Sequence, residues 1–192
     1  MGRLIYSAIA SLDGYVADDD GRFDWCAPDE EVHAAVNDSV RSVGTQLYGR
    51  RMYEVLQVWE TMDVGSAPSP SADFQALWRA ADKIVYSSTL DAPATARTRI
   101  ERTFDPVAVG ELVRGLDHDV SVGGPQLAGA ALRAGLVDVL ELFLSPVVIG
   151  GGTAALPSDS RIPLSSTGCR RFAGGVVQLT YGVARSLGPA GA

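Results

Sequence analysis

Residues 120–136 read VSVGGPQLAGAALRAGL, and their reading decides the fold class. An apolar strand runs into Gly-Gly-Pro, and a helix of small residues follows at once. A strand passing through a tight turn into a helix is one half of a βα unit. Such a turn can be only a connection. It can also hold an anion, because a helix N-terminus offers unbonded N–H groups and a partial positive charge. Gly123 and Gly124 permit a backbone approach that a Cβ would block. The spacing is not G-x-G-x-x-G, and the chain has no G-x-x-x-x-G-K-S/T loop, so neither standard nucleotide fingerprint applies.

Outward from this turn, strands and helices alternate. Strands are predicted at 3–11, 45–49, 83–90, 98–104 and 119–122. A long apolar strand is predicted at 138–152, bent near Pro146, and an alternating strand at 174–185. Helices are predicted at 29–43, 50–59, 74–81 and 106–116. In the first of these, Val32, Ala35, Val36, Ser39, Val40 and Val43 recur at helical spacing, with acids in the first turn. Pro106 stands early in its helix, where a missing N–H costs nothing. The Pro/Ser-rich stretch 63–73 reads as a surface loop. The alternation implies an α/β fold: a mixed, mostly parallel sheet flanked by helices. The last two predicted strands have no helix between them, which implies an antiparallel C-terminal edge.

Composition sets the limits. The chain has 192 residues and is 46% hydrophobic, which suits one well-filled domain over 1–185. The tail 186–192, SLGPAGA, is expected to be disordered. The net charge of −7 and sequence pI near 4.7 argue against nucleic-acid binding. Cys26 and Cys169 have no metal-ligand spacing and read as free thiols in a reducing compartment, so no metal is expected. The N-terminus lacks a signal-peptide pattern, and no window reaches the roughly 18 apolar residues of a membrane span. A cytoplasmic protein is expected.

In sheets of this kind, ligands sit beyond the carboxyl ends of the strands. Four strand ends carry unusual residues: SLDGYVA (11–17), YGRRMYE (48–54), YSSTL (86–90) and VGGPQLAG (122–129). Gly49 is followed by Arg50 and Arg51 at a helix start, where the dipole is already positive. A bound anion explains them, since guanidinium pairs with phosphate bidentately; two solvated arginines explain them equally well. Ser87, Ser88 and Thr89 offer hydroxyls at the next strand end. Together these features suit a long ligand with several phosphates, such as a dinucleotide carrying a ribose phosphate.

With these residues in place, the chain resembles the dihydrofolate-reductase-like fold. It is most similar to single-domain relatives of the reductase half of the bifunctional riboflavin-biosynthesis deaminase–reductase. The resemblance rests on 11–17, 29–54, 83–90, 122–157 and the last strand, and it extends to about residue 185. It implies an NADPH-dependent reductase acting on a small pterin- or pyrimidinone-like heterocycle. It assigns Gly49, Arg50, Arg51 and Met52, with Ser87, Ser88 and Thr89, to the ribose phosphate. Gly123, Gly124, Pro125, Gln126 and Leu127 fall at the diphosphate. Met52 stands where the family usually has Thr, so one hydroxyl is lost.

At the substrate end the resemblance points to Asp13, Trp25, His33, Gly151, Gly152 and Thr153. Asp13 and Glu30 are the candidate catalytic acids. Asp29 and Glu31 flank Glu30, and the sequence does not choose among the three. Asp13 before Gly14 is equally a turn residue bonding to its own backbone. The family's deaminase half needs H-x-E with P-C-x-x-C, which is absent, so no deaminase activity is expected. A homodimer is implied. Two other functions stay open: a riboflavin-pathway pyrimidine reductase, needing a second basic site, for which Arg161, Arg170 and Arg171 remain; and a non-catalytic nucleotide- or flavin-binding module.

Overall fold

A computed structural model describes residues 1–184, so the expected disordered tail lies outside the described residues. In chain order the elements are β1 Leu4–Ser11, β2 Tyr15–Ala17, α1 Glu30–Val40, β3 Val43–Gly49, α2 Arg50–Leu56, α3 Pro70–Ala80, β4 Asp82–Tyr86 and β5 Thr98–Glu101. Then come α4 Pro106–Gly115, β6 Asp119–Gly123, α5 Pro125–Arg133, β7 Val139–Ser145, β8 Thr153–Ala154, β9 Leu164–Arg171 and β10 Val177–Val183. Eight strands form one sheet in the order β5-β4-β3-β6-β1-β7-β10-β9. The first six in that order run parallel. β10 is antiparallel to both β7 and β9, which is the expected C-terminal edge.

The central strands are apolar on both faces because helices cover both. Leu47, Ile84, Val122 and Leu140 meet α4 and α5 on one face, through Val109, Val113, Ala128 and Leu132. On the other, Val32 and Ala35 of α1 pack on Ile9, Phe143 and Phe172. Tyr53 of α2 packs there on Tyr48 and Val85. The helix starts are capped as their sequences require: Asp29, Ser69 and Asp105 each accept a backbone N–H of the first turn. Lys83 is the odd residue of the core. Its ammonium lies 4.2 Å from the Trp78 ring centroid and donates to the carbonyls of Trp78 and Ala81, closing the C-terminal end of α3.

Several boundaries differ from expectation. α1 ends at Val40, and Val43 opens β3, because the apolar run there continues into the sheet. The predicted strand 138–152 stops at Ser145: Pro146 has no N–H for the ladder, and the rest runs as a loop. α3 starts four residues early, at Pro70, with Ser69 as its cap inside the apparent loop. β9 was not anticipated, since LSSTGCRR is largely exposed and is held by β10 alone. β2 and β8 form a separate two-stranded ribbon that local pattern does not reveal.

Candidate functional site

The strand registers set the carboxyl ends on one edge. Tyr48 pairs with Gly123, Gly49 with Tyr86, Tyr86 with Glu101, and Ser11 with Ser145. Thus the turns at Gly49, Ser87 and Gly123 stand side by side on β3, β4 and β6. The turn after β1 stands next along the edge.

At the β6–α5 turn, Gly124 has φ +92° and a Cβ there would lie 3.2 Å from Met52 Cβ. A Cβ on Gly123 would lie 2.7 Å from the Tyr48 ring. Both glycines are therefore required by the protein's own packing, with Met52 filling the space between the two glycine turns. Gly124 is the N-cap of α5 and supplies no side-chain cap, and Pro125 has no N–H. The N–H groups of Gln126 and Leu127 find no acceptor among the described residues, while Ala128 donates to the Gly124 carbonyl. An open pair of amide donors faces the edge.

Arg50 is held in place. Its Nε donates to Glu54 at 2.6 Å and its Nη1 to Thr89 Oγ1 at 2.7 Å, so the arginine turn and the hydroxyl turn are joined. Arg51 is exposed and has no ion pair among the described residues. Ser87 is buried, and its hydroxyl accepts the N–H groups of Thr89 and Leu90, so it shapes the turn. Ser88 and Thr89 are exposed at its tip. Sequence reasoning missed three residues here. Tyr53 accepts the Ala94 N–H at 2.8 Å, Glu54 pairs with Arg50, and Arg102 donates to the carbonyls of Ser87 and Leu90. Glu54 could have been found, since it stands one helical turn after Arg50. The other two act across the β4–β5 connection, which leaves no local signal.

At the other end, Asp13 accepts the Ile149 and Gly150 N–H groups, at 3.3 and 2.8 Å. The Ser11 hydroxyl and these amides hold its carboxyl below the usual carboxylate range. Leu12 N–H donates to Val147, and Ala155 N–H to Gly14, so the turn after β1 and the loop after β7 are sewn together. Gly152, at φ +123°, leaves no room for a side chain beside the Ala17 carbonyl, and Thr153 pairs with Ala17. Gly151 sits against Asp19. Asp13, Gly151, Gly152 and Thr153 are thus brought into one assembly.

The first turn of α1 divides its acids. Asp29 caps the helix, and Glu31 accepts the Ala173 N–H and pairs with Arg170. Glu30 is exposed and has no partner among the described residues. His33 packs beside the touching Trp59–Phe74 pair, with ring centroids 6.0 and 5.7 Å away, and burial lowers its pKa. Trp25 lies in a short 3-10 turn, half-buried, with its indole N–H unpaired. Two hollows flank the sheet. One of about 220 Å³ is lined by Tyr86, Arg99, Thr103 and Leu112; one of about 120 Å³ by Leu132, Leu140 and Ile162. Arg50, Asp13 and Gly124 line neither of these two. No group of three or more His, Cys, Asp or Glu residues suited to a metal occurs among the described residues.

The model of the RibD C-terminal domain matches residues 3–178. The chain belongs to the RibD C-terminal domain family. Among curated proteins, the uncharacterised protein YyaP of Bacillus subtilis (strain 168) is 28% identical over 182 residues, 93% of this chain and 94% of YyaP. Among solved structures, a protein of Shewanella sp. PV-4 superposes with TM-score 0.73 at 18% identity, over 95% of this chain and 99% of that one. The Thermotoga maritima diaminohydroxyphosphoribosylaminopyrimidine deaminase/5-amino-6-(5-phosphoribosylamino)uracil reductase gives 0.66 at 16% identity. That superposition covers 95% of this chain and 57% of the longer protein. These likenesses establish the dihydrofolate-reductase-like fold of the RibD reductase domain. No helix among the described residues is long and apolar enough to cross a membrane.

Proposed function

We propose that the chain is a cytoplasmic NADPH-dependent reductase acting on a C=N or C=O bond of a small pterin- or pyrimidinone-like heterocycle. One observation carries this: Arg50 reaches Thr89 at 2.7 Å, joining a basic turn and a hydroxyl turn beside the open N-terminus of α5. An arginine, two hydroxyls and two free amide donors on neighbouring strand ends suit a ligand with a ribose phosphate and a diphosphate. Arg50, Ser88 and Thr89 would hold the first, and the Gln126 and Leu127 amides the second. Met52 contributes packing where the family has a hydroxyl. The cofactor, when bound, supplies the hydride; the chain supplies orientation and a proton route.

For that proton, Asp13 is poorly suited, because its lowered pKa keeps it ionised at neutral pH. Its work is to hold the loop after β7. Glu30 is exposed and has no partner among the described residues, which leaves solvent water as the proton source at that end. His33, half-buried against the Trp59–Phe74 pair with its pKa lowered by that burial, is a wall residue.

The test is a fluorescence titration with NADPH and NADH at low salt. NADPH should bind more tightly, and Arg50→Ala should lose about tenfold or more of that affinity, as expected for a charge-assisted phosphate contact. If neither nucleotide binds the folded protein, the proposal fails.

A second activity, reduction of a riboflavin-pathway pyrimidine carrying a ribose phosphate, is favoured by one observation. Arg170, stacked 4.5 Å over Phe172, is brought to the first turn of α1 through Glu31. It provides a basic group beside the acids at that end. Turnover of a phosphoribosylamino-pyrimidine but of no dihydropterin would select this substrate class. Tight NADPH binding without turnover of either would leave a nucleotide-binding module.

A further inference from the structure

The turn after β4 is closed from two sides. From within, Ser87 Oγ accepts the N–H groups of Thr89 at 3.3 Å and Leu90 at 3.0 Å. From outside, one nitrogen of Arg102, Nη1, donates to the carbonyls of Ser87 at 3.1 Å and Leu90 at 2.7 Å. Arg102 stands one residue past β5. The parallel register that pairs Tyr86 with Glu101, extended by Ser87 N–H on the Glu101 carbonyl at 2.9 Å, delivers it there. The far side of the connection is fastened to α2, where Tyr53 accepts the Ala94 N–H. Residues 88 and 89 are thus presented between two fixed points, and Thr89 meets Arg50.

We propose that Arg102 is the positioning residue for discrimination between the two nicotinamide dinucleotides: it acts through the 87–90 turn, holding the Ser88 and Thr89 hydroxyls against Arg50. This rests on the NADPH reading of the same edge. The physical reason is geometric. Arg102 covers the Ser87 and Leu90 carbonyls from the solvent side, so water can replace it there, and the Ser87 hydroxyl still closes the turn from within; the fold loses little. What is lost is the fixed orientation of the tip, and phosphate recognition depends on donor geometry.

The experiment titrates the wild type, Arg102→Ala and Arg102→Lys with NADPH and NADH by fluorescence, at low and high salt. Amide hydrogen exchange is followed at Thr89 and Leu90. The wild type should prefer NADPH. Arg102→Ala should lose about tenfold in NADPH affinity, with NADH affinity unchanged and with faster exchange at Thr89 and Leu90. Arg102→Lys should recover most of the loss, since an ammonium can donate to both carbonyls. The salt dependence of NADPH binding should keep its slope in Arg102→Ala, because the residue removed does not face the phosphate. An unchanged NADPH-to-NADH ratio overturns the inference, and so does an equal fall for both nucleotides. A shallower salt slope overturns it too, since Arg102 would then be a direct phosphate ligand. A wild type that binds neither nucleotide overturns the cofactor reading itself. That failure is separable, because faster exchange in Arg102→Ala would still report that Arg102 holds the turn.

Discussion

Asp119 shows how far a single residue can reach. It is buried at the start of β6, accepts the Arg3 guanidinium at 2.6 Å and the Ser42 hydroxyl at 2.8 Å, and takes the Arg3 backbone N–H at 3.0 Å. The hydrogen bond to the Arg3 side chain lowers its pKa to about 2. A carboxylate with a depressed folded-state pKa contributes stability above its unfolded value, near 3.9, and loses it as pH falls towards the folded value. Arg3 is largely exposed, so solvent screening reduces the contribution to about 1 kcal/mol. Asp119→Asn should therefore lower the melting temperature at neutral pH. The gap from wild type should close between about pH 4 and about pH 2; a gap that persists unchanged through that window excludes the linkage. At this scale the site was partly legible. Arg50 and the strand-end hydroxyls announce themselves by residue type. That the Ser87 hydroxyl is spent inside its own turn, or that Glu54 engages Arg50, follows only from side-chain geometry.

At the scale of elements, the β6–α5 and β3–α2 units were readable because each signal is local: an apolar run, a glycine turn, then helical spacing. β9 was not, because LSSTGCRR carries little apolar pattern and exists as a strand only through β10. The joined loops after β1 and β7 were also hidden, since Asp13 and Gly150 are far apart in sequence and adjacent in space. Their clasp is testable. Asp13→Asn keeps one acceptor oxygen and removes the charge, so one of the two bonds to Ile149 and Gly150 should be lost. Amide exchange at residues 149 and 150 should accelerate while that at 126 and 127 stays unchanged. Equal protection in the variant would show that the backbone bonds alone hold the loops.

For the whole molecule, the sheet leaves an apolar strip on its α5 side. Leu142 pairs with Leu179 and Leu144 with Val177 across β7 and β10, and all four are partly exposed. A second copy of the chain, if one pairs with it, would meet it across this strip. Light scattering should give a dimer for the wild type and a monomer for Leu179→Glu with an unchanged circular dichroism spectrum. A Leu179→Glu protein that stays dimeric would place the interface elsewhere. The sequence by itself determined the α/β class, the parallel core, the antiparallel last strand and the residue types at the strand ends, because period, glycine turns and charge are written locally. Only the tertiary structure decided which of those residues meet. Parallel pairing joins segments dozens of residues apart, and its register sets Arg102 on the Ser87 turn and Asp13 on the Gly150 loop. No local pattern encodes a register between distant strands; it is selected by the burial of both faces at once.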